Sequence, residues 1–136
     1  MRKDNCIFCK IINGEIPSHV LYEDEQFKVI LDVNPATKGH ALILPKEHYA
    51  NLYELPEETA ADAMKLAQRM MRKMTEKLDC DGFNIVQNNG EAAGQTVFHF
   101  HMHLIPRCKN DGEILKYIAG EPGQEELERI KKTLTE

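Results

Sequence analysis

The sequence has no apolar segment approaching the roughly 20 residues that a helix needs to cross a bilayer. Its opening segment, MRKDNCIFCK, has basic residues but no long apolar run behind them, which is unlike a secretory signal. We therefore expect a soluble protein that resides in the cytoplasm and has no membrane partner.

Basic residues are outnumbered by acidic ones. There are 17 basic against 22 acidic residues, a net charge of −5, which argues against a groove for a nucleic acid polymer but not against a pocket for one nucleotide. Four cysteines in a chain expected to stay in a reducing compartment are poor evidence for disulfides, so metal binding becomes the more relevant question. A length of 136 residues suits one compact core.

Histidine, in contrast, is concentrated in one place. The segment HFHMHLIPR, from His99 to Arg107, contains three of the six histidines at alternating positions. Because side chains alternate across a strand, His99, His101 and His103 are expected to share one face. The apolar residues expected on the opposite face, toward the core, are Phe98, Phe100, Met102 and Leu104.

The rest of the chain predicts an α+β fold. The segments HVLYED, FKVILD, GHALILP and GFNIVQN, with the histidine segment, predict an antiparallel sheet of about five strands. A three- and four-residue apolar spacing from Pro56 to Leu78 predicts one long helix packed on that sheet. CIFCKIINGEIP predicts a short helix or turn, and PGQEELERIKKTLTE a polar helix. The helical apolar positions are Ala60, Ala63, Met64, Ala67, Met70, Met71, Met74 and Leu78.

Several segments resemble one known family. HFHMHLI matches the His-x-His-x-His-x-x pattern that names the histidine triad (HIT) superfamily. CIFCKIINGEIP, LDVNPATKGHALILPKEH and NNGEAAGQTVFHFHMHLIPR resemble, in order and spacing, the Hint-like branch of its nucleotide-binding hydrolases. The resemblance runs roughly from Asn5 to Arg107. It suggests a histidine triad domain over residues 1–108 and a C-terminal tail with a polar helix over 109–136.

This resemblance implies hydrolysis or transfer at the α-phosphorus of a purine nucleoside phosphoramidate or related nucleotidyl conjugate. His101 would be the nucleophile and would carry the nucleotide covalently. Neutral imidazole can attack phosphorus without a strong base, and its other ring nitrogen needs an acceptor, which we expect to be a backbone carbonyl. His103 is expected to contact a phosphate oxygen or the leaving group.

Further site residues follow from the same resemblance. Gln95 and Thr96 match positions near the phosphate, where amide and hydroxyl donors stabilise negative charge. Asn88 matches a residue near the scissile bond, and Asp32 one that binds the ribose hydroxyls; both could instead be ordinary turn residues. The candidates for a base pocket are Phe8, Phe27, Ile30 and Leu31.

The cysteine pair leaves three alternatives open: half of a zinc site, two buried thiols, or a redox pair. In the family, many members carry zinc on such a pair together with two histidines, which implies a structural zinc here. Cys80 and Cys108 are expected to be structural, and His40 receives no role. The implied zinc ligands are Cys6, Cys9, His48 and His99.

The resemblance also implies a homodimer whose sheet continues across the interface. A second functional hypothesis is a non-catalytic nucleotide sensor or scaffold. A third is a zinc hydrolase using a metal-bound water, but this needs three histidines of one strand to converge on a single ion, which alternate positions do not easily do.

Overall fold

The computed structural model describes residues 3–112 and 117–136 and contains a five-stranded antiparallel sheet in the order β1-β2-β3-β5-β4. One long helix, α2, packs on one face, and a short helix, α1, on the other. The predicted α+β class is confirmed. The strands are β1 Val20–Glu23, β2 Phe27–Leu31, β3 Ala41–Pro45, β4 Gly82–Val86 and β5 Met102–Arg107; the helices are α1 Ile7–Ile12, α2 Glu57–Leu78 and α3 Gln124–Thr135.

Helix α2 matches the predicted long helix almost to the residue. Glu57 and Glu58 lie in its first turn and Lys77 in its last, each stabilising the end of the helix dipole that it faces. The predicted apolar stripe was partly wrong: Met64 is 52% exposed, whereas Leu66, which the prediction omitted, is 1% exposed. The buried stripe is Ala63, Leu66, Ala67, Met70 and Met74, so Met64 lies one position, about 100°, off its axis.

The histidine segment forms a shorter strand, β5, than predicted. Its ladder with β3 begins at Met102, and the chain bends over residues 97–99. Phe100, Met102 and Leu104 do face the core under α2, but Phe98, expected beside them, is 49% exposed. The alternation fails at Phe98 because the chain there is bent and not extended.

The edges of the fold are less covered. Strand β4 lies at one edge of the sheet and pairs only with β5 in the part of the chain that the structure describes. Helix α3 confirms the predicted polar helix and has no buried residue. Among the described helices, none is long and apolar enough to span a bilayer.

Candidate active site and metal centre

The imidazole of His101 has one nitrogen committed to the backbone. Its Nδ1 lies 2.8 Å from the carbonyl oxygen of His99. Because a carbonyl can only accept, Nδ1 carries the proton and Nε2 keeps its lone pair. Burial lowers the pKa of His101 below its usual 6.5, against the opposing effects of the His99 carbonyl and Asp32. The ring is therefore neutral at physiological pH and nucleophilic at Nε2.

Phe8, on α1, packs against the imidazole of His101. Its ring meets the His101 ring edge-on, with centroids 5.0 Å apart and planes at 74°. It also contacts the His99 ring at 6.0 Å. The N-terminal helix thus packs directly against the predicted nucleophile, and an edge-on contact of this kind favours one ring orientation.

The third histidine of the triad, His103, contacts His40, for which no role was predicted. His103 Nδ1 lies 2.9 Å from Nε2 of His40, and the same nitrogen of His40 lies 3.5 Å from Asp32 Oδ2. The pKa of His103 is lowered to about 4, first by burial and then by His101 and His40. The segment GHALILP could have indicated this contact. His40 lies two residues before Leu42, which pairs with His103, so the side chains of His40, Leu42 and His103 are on the same face of the sheet.

Gln95 is placed differently from the prediction. Its side chain is buried: Oε1 accepts from the Gly90 amide at 2.8 Å, and Nε2 donates to the carbonyls of Ala50 at 2.6 Å and Val97 at 3.0 Å. Both amide N–H groups are thereby used, so Gln95 braces the loop and has no free donor for a phosphate. Sequence proximity to Thr96 gave no indication of this.

Thr96 and Asn88 lie on the same loop as Gln95. Thr96 is exposed and borders a cavity of about 410 Å³ together with Cys6 and His48. Asn88 is half-buried beside Gly94. The hydrogen bonds that His101 and His103 make within the described residues involve neither of them, so their roles stay predictions.

The predicted base pocket is divided by the sheet. Phe8 and Ile30 belong to the cluster on the α1 face, the side of the histidines. Phe27 is 2% exposed in the core under α2, and Leu31 lines a groove beside Met70. Because alternate residues of β2 face opposite sides, the structure does not bring Phe27 and Leu31 to the predicted pocket.

Asp32 is a turn residue that also borders His40. Its Oδ1 accepts from the amide of Asn34 at 2.8 Å, as in a turn. Its Oδ2 faces His40 at the edge of the histidine cluster. Being a turn residue therefore does not remove it from the site.

The four predicted zinc ligands converge on one point. His99 Nδ1 lies 3.4 Å from Cys6 Sγ and 3.5 Å from Cys9 Sγ, and His48 Nδ1 lies 3.4 Å from Cys9 Sγ. All four donor atoms lie within 4.8 Å of one another. Zn–S bonds of about 2.3 Å and Zn–N bonds of about 2.0 Å at tetrahedral angles give sulfur–nitrogen separations of about 3.5 Å. The residues present therefore fit a tetrahedral zinc ion.

The groups around this cluster support the same assignment. His99 is fully buried, and its Nε2 donates to the carbonyl of Pro45 at 2.9 Å, which leaves Nδ1 free of a proton and facing the thiols. The pKa of His99 is lowered to about 4, mainly by burial, so the ring is neutral, as a ligand must be. Cys80 is buried and Cys108 exposed, both outside the cluster.

Fold and site together define an α+β protein of the histidine triad class, with the three histidines on one side of the sheet and a thiol–imidazole cluster at one end. The comparison with known families agrees: the HIT domain matches residues 13–110, and the chain belongs to that family.

Three individual proteins extend the comparison. The adenosine 5'-monophosphoramidase of Saccharomyces cerevisiae is 45% identical over 130 residues, covering 95% of this chain and 80% of the yeast protein. A crystal structure from Streptococcus mutans superposes with a TM-score of 0.91 at 40% identity, covering 97% of this chain and 84% of the other. A zinc-bound histidine triad family protein of Mycobacterium smegmatis is 42% identical with a TM-score of 0.79, covering 95% and 91%.

Proposed function

We propose that this protein is a nucleotide-binding hydrolase or nucleotidyl transferase that acts at the α-phosphorus of purine nucleoside phosphoramidates or related nucleotidyl conjugates. The observation that carries the proposal is the 2.8 Å contact from His101 Nδ1 to the His99 carbonyl, which leaves a neutral imidazole with its lone pair at Nε2. Membership of the HIT family and similarity to a yeast phosphoramidase support the substrate class.

In the proposed reaction, Nε2 of His101 forms a bond to the α-phosphorus as the bond to the leaving group breaks. The leaving group departs with the bonding electron pair and takes up a proton from solvent. Water then cleaves the phosphorus–nitrogen bond, releasing the mononucleotide and restoring the neutral imidazole. The His99 carbonyl keeps accepting from Nδ1 throughout and stabilises the positive charge that develops on the ring.

The neighbouring residues would bind the substrate. Asp32 would accept from the ribose hydroxyls, and Thr96 and Asn88 would donate to the phosphate or leaving group. Phe8 and Ile30, both on the histidine side of the sheet, remain the candidates for contact with the base. The burial of His101 and His103 favours their neutral forms without any substrate present.

We further propose that Cys6, Cys9, His48 and His99 hold one zinc ion. Four protein ligands complete its coordination shell and leave no position for substrate, so the ion would tie the N-terminal segment to the histidine segment. The zinc-bound relative of Mycobacterium smegmatis supports this proposal. A three-histidine zinc hydrolase is disfavoured because His99, His101 and His103 each have a different partner.

A homodimer is part of the proposal. Met64 of α2 and Ile85 of β4 are both exposed and line one groove at the β4 edge, which is where a sheet could continue into a second copy. Sedimentation should show a species of twice 15.6 kDa at micromolar concentration; a 15.6 kDa species alone would reject the dimer. The division into a domain over 1–108 and a tail over 109–136 likewise stays a proposal.

The decisive experiment combines a substrate panel with rapid quench. Adenylyl and guanylyl phosphoramidates should release mononucleotide, and a labelled substrate should leave a nucleotidyl adduct on His101 at early times. An adduct on another residue would contradict the mechanism. Mononucleotide binding without any turnover across the panel would favour the sensor or scaffold.

A further inference from the structure

We propose that His40 is a positioning residue that fixes the tautomer of His103, so that His103 presents an N–H at Nε2 to the ligand. The order of contacts runs from the backbone amide of Ala36, through both nitrogens of His40, to Nδ1 of His103. The inference rests on the proposed function only for the identity of that ligand.

The first link fixes the proton of His40. The amide N–H of Ala36 lies 2.9 Å from His40 Nδ1. A backbone amide can only donate, so Nδ1 must accept and carries no proton. His40 is 6% exposed, and this burial lowers its pKa below the usual 6.5, so the ring is neutral and its single proton is on Nε2. Protonating Nδ1 would set two N–H donors against each other.

The second link passes this constraint to His103. His40 Nε2 has two neighbours: His103 Nδ1 at 2.9 Å and Asp32 Oδ2 at 3.5 Å. The second separation is longer than a normal N–H···O hydrogen bond, so His103 is the principal acceptor. His103 Nδ1 therefore carries no proton, and the proton of this neutral ring is on Nε2.

The loop that carries Ala36 is fastened at several points. Thr37 Oγ1 donates to the Pro106 carbonyl at 2.7 Å, and the Asp32 amide donates to the His40 carbonyl at 2.9 Å. Gly39 has φ +90°, and a Cβ there would lie 2.6 Å from Leu78 Cδ1, so the loop approaches α2 too closely for a side chain. The amide that sets the tautomers is thus anchored to both β5 and α2.

The consequence is that two neighbouring histidines have opposite tautomers. His101 is protonated at Nδ1 and His103 at Nε2, with ring centroids 5.1 Å apart. One ring offers a lone pair and the other an N–H, which suits attack on an electrophile whose oxygen gains negative charge. Because only an amide lies behind His40, His103 has no proton supply from that side and acts as a hydrogen-bond donor.

The tautomers can be read directly by NMR. We would label histidine with ¹⁵N in the full chain, purified without chelator, and record long-range ¹H–¹⁵N spectra, in which protonated and unprotonated ring nitrogens have distinct shifts. His40 and His103 should each be protonated at Nε2 and His101 at Nδ1. Exposed His19 is the internal reference. A proton on Nδ1 of His103 in the wild type would overturn the proposal without any variant.

Two substitutions of His40 sharpen the test. Gln retains an amide N–H that can reach His103 Nδ1, whereas Leu has similar bulk and no donor. We expect His40→Gln to keep the His103 tautomer and most turnover, and His40→Leu to give mixed tautomers with kcat about 10- to 100-fold lower and KM little changed. His19→Gln is the matched control and should change neither. An unchanged tautomer and kcat in the Leu variant would refute the role of His40.

The readouts separate the two proposals. If the wild type shows the expected tautomers but releases no mononucleotide, the proposed function fails and the positioning role of His40 stands. If mononucleotide is released while His103 is protonated at Nδ1, the proposed function stands and the positioning role of His40 fails.

Discussion

His99 and His103 begin as equivalent residues, at alternating positions of one segment, yet the structure treats them in opposite ways. His99 precedes the ladder of β5, in the bent part of the chain, and its ring lies between a backbone carbonyl and two thiols. His103 lies within the ladder, opposite Leu42, and its ring contacts another imidazole. Burial lowers the pKa of both to about 4.

The difference teaches that the partner of each ring nitrogen, and not the burial or pKa, separates the roles. At His99 a carbonyl accepts from Nε2, and Nδ1 faces the two thiols. At His103 a neighbouring N–H occupies Nδ1 and leaves Nε2 as a donor. His101, between them, has the carbonyl on Nδ1 and keeps the lone pair on Nε2. The predictions below test whether these three assignments hold.

The largest effect is expected at the proposed nucleophile, His101. His101→Ala should lose essentially all turnover, because the covalent route is removed, and should still bind mononucleotide. Release of mononucleotide from a phosphoramidate and equilibrium binding of the mononucleotide measure the two properties. Hydrolysis by this variant at the wild-type rate would contradict the assignment of His101 as the nucleophile.

Removing donors should slow the reaction without abolishing it. His103→Ala and Thr96→Ala each remove one proposed donor to the phosphoryl group, and loss of such a donor costs roughly 2 to 4 kcal/mol, or about 30- to 1000-fold in rate. Single-turnover kinetics would measure the loss. If His103→Ala were as inactive as His101→Ala, the assignment of His103 as only a hydrogen-bond donor would be wrong.

At the other end of the segment the effect should be on stability. Cys9→Ser should lose zinc and lower the free energy of unfolding by more than about 3 kcal/mol, since loss of a bound metal is among the largest single-site effects. Elemental analysis and thermal melting check this, with exposed Cys108→Ser as the matched control. Chelation of the wild type should lower its melting temperature in the same direction. Metal-free protein with unchanged melting would reject the zinc.

The smallest effect is expected from pH. The pKa of His101 is lowered from 6.5, so this proposed nucleophile stays neutral as the pH falls through 6.5, and kcat/KM should decline only below that value. Folding stability should also fall as the pH falls. Unfolded histidines take up protons between about pH 6.5 and 4, whereas His103 in the folded protein stays neutral until about 4. Stability therefore falls as the pH falls. An inflection of kcat/KM at or above 6.5 would contradict this assignment.

Local pattern predicted most of the fold. The strands and α2 followed from alternation and helical spacing, and a neutral His101 with a carbonyl partner followed from the chemistry of imidazole. The identity of that carbonyl could not be predicted, because it depends on the bend over residues 97–99. Phe27 and Leu31 were assigned from the resemblance, and the parity of β2 places them on the α2 side. His40 was missed because its role depends on the β3–β5 register, which is set by tertiary contacts.

The contact between the N-terminal cysteines and His99 also has a consequence for the order of biosynthesis. Cys6 and Cys9 are made early, but His99 follows 93 and 90 residues later. A nascent chain therefore has its thiols long before it has the last member of the cluster, and closing a loop of that length opposes assembly by about 4 kcal/mol of chain entropy. The carbonyl that accepts from His101 Nδ1 belongs to the same residue, His99, whose ring faces the thiols, so closing this loop also holds the backbone that contacts His101. A nascent chain that ends before residue 99 lacks the last member of the cluster and cannot close this loop.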